Sequence, residues 1–270
     1  MSSWRAIMVH VDDGPAAPER IEVAVRLAST LSATLIGAAG LNMDVRYAGD
    51  PMAGALIAGD TSECERKLAR LEAAFRKHAA DRVPIEWRGE IADPARFLHK
   101  HARAADVLVI GRSESKARAS SLLEVTPSSV FLASGRPTLI PARGATALHG
   151  ESVVLAWSDT TEARRAAQAA LPLLKRAREV LVLGVGEGVG LADLQDVARH
   201  LERHEVTARP EHRAGSEGSV AAQLEDAADR IAADLIVAGG YGHSRAMQWL
   251  LGGVTCDLLE SSRRHLLLVH

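Results

Sequence analysis

Four glycines near the C-terminal end of the sequence have the spacing of a loop that binds phosphate. Gly239, Gly242, Gly252 and Gly253 follow an apolar run. Glycine adopts positive φ easily and lets backbone N–H groups approach an anion closely. A helix that begins after such a loop adds a partial positive charge at its N-terminus. The pattern therefore predicts a phosphate or nucleotide site at this loop.

The segment that must position this loop occurs twice in the chain. Residues 106–111 match residues 234–239, and residues 136–140 match residues 264–268, both at an offset of 128. Self-similarity at a fixed offset is typical of a repeated structural unit. The sequence therefore contains two copies of one unit.

The front of each copy shows how the two differ in length. Residues 8–12 match residues 153–157 at an offset of 145, which exceeds 128 by 17, so the first copy carries 17 additional residues. A small, polar, aperiodic segment at 142–150 is typical of a linker. We therefore predict two domains, residues 1–146 and residues 147–270.

Short apolar runs alternate with segments of helical period in each copy. This alternation is typical of βαβ units and predicts an α/β fold of two tandem doubly wound domains, each a five-stranded parallel sheet flanked by helices. In the second copy the predicted strands are residues 152–157, 179–185, 206–212, 234–239 and 265–269. Such sheets bind ligands at the carboxyl ends of their strands, where the glycine loop begins.

The composition of the chain indicates which classes of partner it does not bind. The chain has 270 residues, of which 47% are hydrophobic and 24% charged, and its net charge is -2. This balance gives no basic field for nucleic acid or for an anionic membrane surface. Two distant cysteines form no disulfide framework and no thiolate metal site. We expect a cytoplasmic protein that binds neither nucleic acid nor membrane.

The loop and the repeat together resemble one family. The pattern Gly-x2-Gly-x9-Gly from Gly239 to Gly252 resembles the nucleotide motif of universal stress proteins, and the duplication is similar to their tandem-domain members. The resemblance covers nearly the whole chain. It implies two domains packed as a pseudo-dimer and a role in the stress response, with an adenine nucleotide or an unidentified protein as partner. A homodimer of the chain stays open.

The resemblance also assigns roles to single residues. In ATP-binding members a Ser or Thr follows the last motif glycine, and an aspartate that ends the first strand lies beside the adenosine. Here Gly253 follows Gly252, and Trp157 stands where the aspartate is expected. The resemblance therefore implies ATP as a cofactor of the second domain, held by Gly239, Gly242, His243, Gly252, Gly253, Thr255 and Trp157.

The first domain keeps a different part of the site. Asp12 follows its first strand, but the offset of 128 places Glu114, Glu124 and Val125 at the positions of the last three glycines. A carboxylate that faces a triphosphate repels it. We therefore expect no ATP in the first domain.

Three functions stay open. A non-enzymatic binding module is favoured, because the sequence places no general base and predicts neither a catalytic residue nor a metal ligand. A slow ATPase would need a carboxylate near the loop, for which Asp159 and Asp257 are weak candidates. The third function is a degenerate scaffold that binds no nucleotide.

Other motifs receive simpler interpretations. Asp12 and Asp13 are similar to the acidic pair of response regulators, but the required Asp and Lys at later strand ends are missing, so we interpret them as caps of the following helix. His200 and His204 lack the rest of a zinc motif and are interpreted as solvated residues. Trp157 is expected to pack rather than to stack on a ligand ring.

Overall fold

The structure of the protein, a computed structural model, describes residues 3–42, 54–79, 81–112, 123, 125–215, 218–240 and 253–270. These residues fall into two compact units. The N-unit is Arg5–Ser134, and the C-unit is Gly135–His270 together with the first residues up to Trp4. None of the helices within the described ranges is long and apolar enough to cross a membrane.

The N-unit alternates strands and helices. Its elements are β1 (Ala6–His10), α1 (Ala17–Leu31), β2 (Thr34–Gly40), α2 (Gly54–Ala79), β3 (Ile85–Glu90), α3 (Pro94–His101), a 3-10 turn (Ala102–Ala104), β4 (Val107–Val109) and α4 (Pro127–Ser134). The strands pair in the order β3-β2-β1-β4, and the pairs are parallel. This is the predicted α/β alternation.

The C-unit repeats the pattern. Its elements are β5 (Thr138–Ile140), β6 (Ser152–Trp157), α5 (Thr161–Leu174), β7 (Glu179–Val185), α6 (Leu191–Glu202), β8 (Ala208–Arg213), α7 (Val220–Arg230), β9 (Leu235–Gly239), α8 (Gly253–Ser261) and β10 (His265–Val269). Strands β10-β9-β6-β7-β8 pair in parallel. The strands predicted for this copy are confirmed, with shifts of at most two residues at β8 and one at β9.

Strand β5 pairs in a way that its sequence position does not predict. By sequence it is the fifth strand of the first copy, yet it pairs antiparallel with β10, with Leu139 opposite Leu267. The compact units therefore divide before β5, between residues 134 and 135. The domain boundary at residues 146 and 147 stays a prediction about the sequence repeat, and so does the pseudo-dimer packing.

The burial of the strands follows their position in each sheet. Strands β9 and β10 are almost entirely buried, as expected for parallel strands covered on both faces. The outer strands β3 and β8 are partly exposed and carry charged residues. In β8, Pro210 also removes a backbone donor. Charged residues and proline on an outer strand discourage pairing with another chain.

The topology defines where the sheet of the C-unit can bind a ligand. The crossovers from β6 to β7 and from β7 to β8 run in one direction, and those from β8 to β9 and from β9 to β10 run in the other. Because such crossovers are right-handed, α5 and α6 cover one face and α7 and α8 the opposite face. The direction changes between β6 and β9. Their carboxyl ends form the switch point of the C-unit, and those of β1 and β4 form that of the N-unit.

Candidate functional site

Trp157 and Gly239 lie side by side at the switch point of the C-unit. Ala156 is paired with Ala238, so the next residues on the two strands are Trp157 and Gly239. Neighbouring residues on parallel strands point to the same face of a sheet. The structure thus brings two of the predicted site residues together.

Gly239 is required by the packing of α5. A Cβ atom at Gly239 would lie 2.5 Å from the backbone nitrogen of Ala163 and 2.5 Å from the carbonyl carbon of Glu162. Both residues belong to the first turn of α5, where the hydroxyl of Thr160 accepts a hydrogen bond from the N–H of Ala163. The positive end of a helix therefore touches the residue at which the glycine loop starts.

The two ends of the glycine loop differ in their backbone bonding. The N–H of Gly240 donates to the carbonyl of Val269 at 2.9 Å, so it continues the sheet. Gly253 is the first residue of α8, and N–H groups in the first turn of a helix lack an acceptor within that helix. Of the loop ends, Gly253 is thus the better anion donor.

Thr255 lies in the first turn of α8, two residues after Gly253, and its side chain is buried. Gly242, His243 and Gly252 lie outside the described residues, so their roles stay predictions. The candidate site in the described part of the C-unit is therefore made of Trp157, Gly239, Gly253 and Thr255.

Trp157 forms one end of a groove. The side chain is half-buried and lines a cavity of about 400 Å³ between α5 and α6, which we call the α5–α6 groove. The sequence predicted a packing role for Trp157. The half-buried side chain packs in part and keeps the rest of its surface exposed in the wall of the groove.

A buried ionic cluster lies at the switch point of the N-unit. The guanidinium of Arg20 approaches the carboxylate of Asp12 at 2.8 Å, and its Nε donates to the carbonyl of His10 at 2.8 Å. The Nδ1 atom of His10 is 3.4 Å from the same carboxylate. Arg20 and His10 are almost completely buried. We call these three residues the N-unit cluster.

Burial and the neighbouring charge set the ionisation of the cluster. Burial lowers the pKa of His10 to about 4, with Asp12 opposing this effect and Arg20 adding to it. Burial is the largest single influence on Asp12 and disfavours its charge, but Arg20, His10 and the N–H of Gly14 together hold the pKa of that carboxyl below its usual value. At neutral pH the cluster therefore holds one carboxylate, one guanidinium and a neutral imidazole.

Arg20 fills the space beside Gly111, which matches Gly239 at the offset of 128. A Cβ atom at Gly111 would lie only 2.2 Å from Nη1 of Arg20. In the N-unit the first helix thus covers the motif glycine with a charged side chain, whereas in the C-unit it does so with its own backbone. Sequence reasoning missed Arg20 and His10. The available signal for His10 was a single polar residue within an apolar strand, whereas Arg20 stands between two glutamates in the sequence and gave no such signal.

The pairing of the strands corrects the match between the fronts of the two copies. Ile7 pairs with Val107, and Val153 pairs with Leu235, which matches Val107 at the offset of 128. Ile7 therefore corresponds to Val153, an offset of 146 rather than 145. The counterpart of Asp12 is Ser158, and not Trp157.

The acidic pair Asp12 and Asp13 does not cap α1. The residue before α1, Ala16, has no side-chain cap, and Asp12 instead accepts from the N–H of Gly14 at 2.9 Å. Asp13 forms an ion pair with Lys67 at 2.8 Å. The capping interpretation was wrong, because both carboxylates have cationic partners that are distant in sequence.

The weaker candidates also have defined places. Asp159 is ion-paired with Arg164, and Asp257 lies exposed on α8. The rings of His200 and His204 contact each other edge-on, with centroids 4.9 Å apart. Among the described residues no group of three or more histidine, cysteine or acidic side chains could hold a metal ion. The two histidines form a small aromatic pair on α6.

No sequence-family model and no curated protein matches the chain. The fold, however, is similar to that of solved structures along its whole length. A universal stress protein from Archaeoglobus fulgidus DSM 4304 matches with a TM-score of 0.75 and 16% identity, over 98% of this chain and 95% of that one. A functionally unknown protein from Pseudomonas aeruginosa PAO1 matches with a TM-score of 0.57 and 12% identity, over 98% and 92%. The resemblance to tandem universal stress proteins is thereby confirmed for the fold.

The contact between α5 and Gly239 predicts an asymmetric response to alanine. Gly239→Ala forces α5 away from β9 and should lower the free energy of unfolding by about 1–3 kcal/mol. Gly253→Ala is the matched control, since the nearest atom to its new Cβ would be 4.0 Å away. Because alanine favours helix, this control should be neutral or stabilising by up to about 1 kcal/mol. Urea denaturation measures both, and equal effects would contradict the packing role.

The N-unit cluster predicts a non-additive pair of substitutions. Arg20→Met leaves the buried Asp12 carboxylate without its cationic partner and should lower the free energy of unfolding by about 3 kcal/mol. Adding Asp12→Asn removes this unpaired charge and should recover part of the lost stability. Lys67→Met breaks the more exposed pair with Asp13 and should cost less than about 1 kcal/mol. A double variant as unstable as Arg20→Met would show that charge burial is not the cause.

His10 predicts a dependence of stability on pH. The unfolded chain binds the proton near pH 6.5 and the folded chain only near pH 4, so protonation favours unfolding in this window. Stability should fall as the pH is lowered from 6.5 to 4, by up to about 3 kcal/mol at about 1.4 kcal/mol per unit. His10→Asn should flatten this slope in urea titrations at several pH values. An unchanged slope would argue against a neutral buried imidazole.

Proposed function

We propose that the protein is a cytoplasmic stress-response protein of the universal stress type, which binds ATP in its C-unit only and acts without catalysis. The fold supports the class. The sequence of the glycine loop supports the ligand, because its glycines have the spacing expected for a phosphate cradle. The proposal thus combines a fold with one local motif.

The observation that carries the proposal is the contact between α5 and Gly239. The first turn of α5 meets the loop at its start, and α8 begins at its end with Gly253. Two helix N-termini therefore flank the segment that holds Gly242, His243 and Gly252. Aligned peptide dipoles at such termini favour a bound anion. The phosphates of ATP would lie there, and Trp157, one residue before the counterpart of Asp12, would lie beside the adenosine.

Features of the N-unit support the proposal that ATP binds in the C-unit only. Arg20 occupies the space beside Gly111, and its charge is already satisfied by Asp12. The loop that follows contains Glu114 and Glu124 where the C-unit has glycines. A phosphate in the N-unit would have to displace a buried guanidinium and face two carboxylates.

The ion pair of Asp159 with Arg164 favours ATP binding without hydrolysis. A metal ion or a water molecule would have to compete with the guanidinium for the Asp159 carboxylate. Phosphate release measured over hours in the presence of ATP and Mg²⁺ distinguishes the two functions. Steady release that Asp159→Asn abolishes would favour the ATPase.

Calorimetric titration with ATP and Mg²⁺ tests the binding site. The parent protein should release heat, and Gly252→Glu should weaken binding at least about tenfold, because it places a carboxylate at the phosphates. Ser261→Glu is the matched control, since it adds the same charge to the far end of α8. It should bind like the parent.

The outcomes of this titration separate the remaining functions. If the parent protein releases no heat, the remaining function is that of a scaffold that binds no nucleotide. Binding that survives Gly252→Glu would place the nucleotide elsewhere in the chain. Loss of binding in both variants would point to a general effect of charge on α8.

A further inference from the structure

The α5–α6 groove lies beside the short second helix of the C-unit. Helix α6 has 12 residues, whereas its counterpart in the N-unit, α2, has 26 and packs along α1. Helix α5 presents the small residue Ala167 toward α6. A cavity of about 400 Å³ lies between α5 and α6. This volume lies within the range of small-molecule sites, roughly 300–1,000 Å³.

The walls of the groove are apolar. Leu171 and Leu201 are almost fully buried and form its floor, Val197 stands half-buried in the α6 wall, and Trp157 closes one end. The indole offers a flat surface on which another ring can stack. The shape and the lining therefore suit a flat aromatic molecule.

The charges at the rim are already neutralised within the protein. Arg164 on α5 is paired with Asp159, and Asp196 on α6 is paired with Arg199. An ionic ligand would have to break one of these pairs or bury its charge against the leucine floor, which is costly. A neutral ligand meets neither penalty, and Gln168 at the rim can exchange hydrogen bonds with it.

The corresponding cavity of the N-unit has a different character. It measures about 320 Å³ between α1 and α2, and its lining includes the charged residues Asp12, Asp13, Lys67 and Arg70. Lys67 is paired with Asp13, and Arg70 is exposed at the edge. The N-unit cavity thus has four charged residues in its lining, whereas the α5–α6 groove has two, Arg164 and Asp196.

We propose that the α5–α6 groove is a binding site for a neutral, flat aromatic small molecule, with Trp157 as its stacking surface. The site uses α5 and α6 and needs none of the glycine loop. It shares only Trp157 with the proposed nucleotide site, and because Val197 and Gln168 lie outside that site, variants there test this inference separately from the proposed function.

The test uses two dyes that share a ring system and differ in charge. N-phenyl-1-naphthylamine is neutral and fluoresces in apolar surroundings, and 8-anilino-1-naphthalenesulfonate carries an added sulfonate. The full-length protein should bind the neutral dye saturably, one per chain, with a Kd of about 10–100 µM. The sulfonate should bind at this site at least about tenfold more weakly.

Matched variants test whether the neutral dye binds in the α5–α6 groove. Val197→Arg puts a charge into the half-buried wall and should weaken the neutral dye at least about tenfold. Val254→Arg makes the same change on exposed α8 and should bind like the parent. Gln168→Trp blocks the groove from its exposed rim without a charge and should also abolish binding. Circular dichroism checks that each variant is folded.

Several outcomes would overturn the inference. Binding of the neutral dye that survives both Val197→Arg and Gln168→Trp would place it outside the groove. Equal affinity for the two dyes at a site sensitive to Val197→Arg would remove the selection for a neutral ligand. Non-saturable binding would show an exposed apolar surface rather than a site.

Discussion

Each unit depends on close packing of its first helix against the end of a strand at the switch point. In the C-unit the backbone of α5 lies against Gly239, and in the N-unit the side chain of Arg20 lies against Gly111. Neither contact leaves room for a Cβ atom on the strand. The glycine that resembles the start of a nucleotide motif is thus also a packing requirement, and its presence alone does not establish a ligand.

The two solutions to this packing problem have different chemical consequences. A buried guanidinium needs a buried carboxylate, and the pair of Arg20 and Asp12 in turn keeps His10 neutral. Such a cluster fills the N-unit switch point with fixed internal charge. In the C-unit the helix backbone performs the same task together with the Cβ atom of Glu162, and the N-terminus of α5 faces the end of β9. The same fold thus places a buried ion pair at one switch point and a helix N-terminus at the other.

Periodicity predicted the central strands of the C-unit well, because parallel strands buried on both faces are short apolar runs with clear limits. The partner of β5 was not predictable in this way, since its own sequence is equally suited to pairing with either copy. The one-residue error at Trp157 has a similar cause, because residues in an apolar strand are interchangeable until backbone pairing fixes the register. The contact of Arg20 with Asp12 could not be predicted from the sequence, because it depends on how close α1 lies to the end of β1. The groove beside Trp157 depends on how the side chains of α5 and α6 pack against each other, which periodicity does not determine.

The antiparallel pair of β5 and β10 sets an order of events during synthesis. Ile140 and Leu266 are partners although 126 residues separate them, so β5 leaves the ribosome long before its partner exists. Contacts of such high sequence separation form late, because the loop between them must first be closed. Until then the apolar Leu139 and Ile140 stay without their final pairing. The nascent chain therefore carries β5 without its antiparallel partner for about half of its translation, and this apolar edge is completed only when the last strand of the chain has been made.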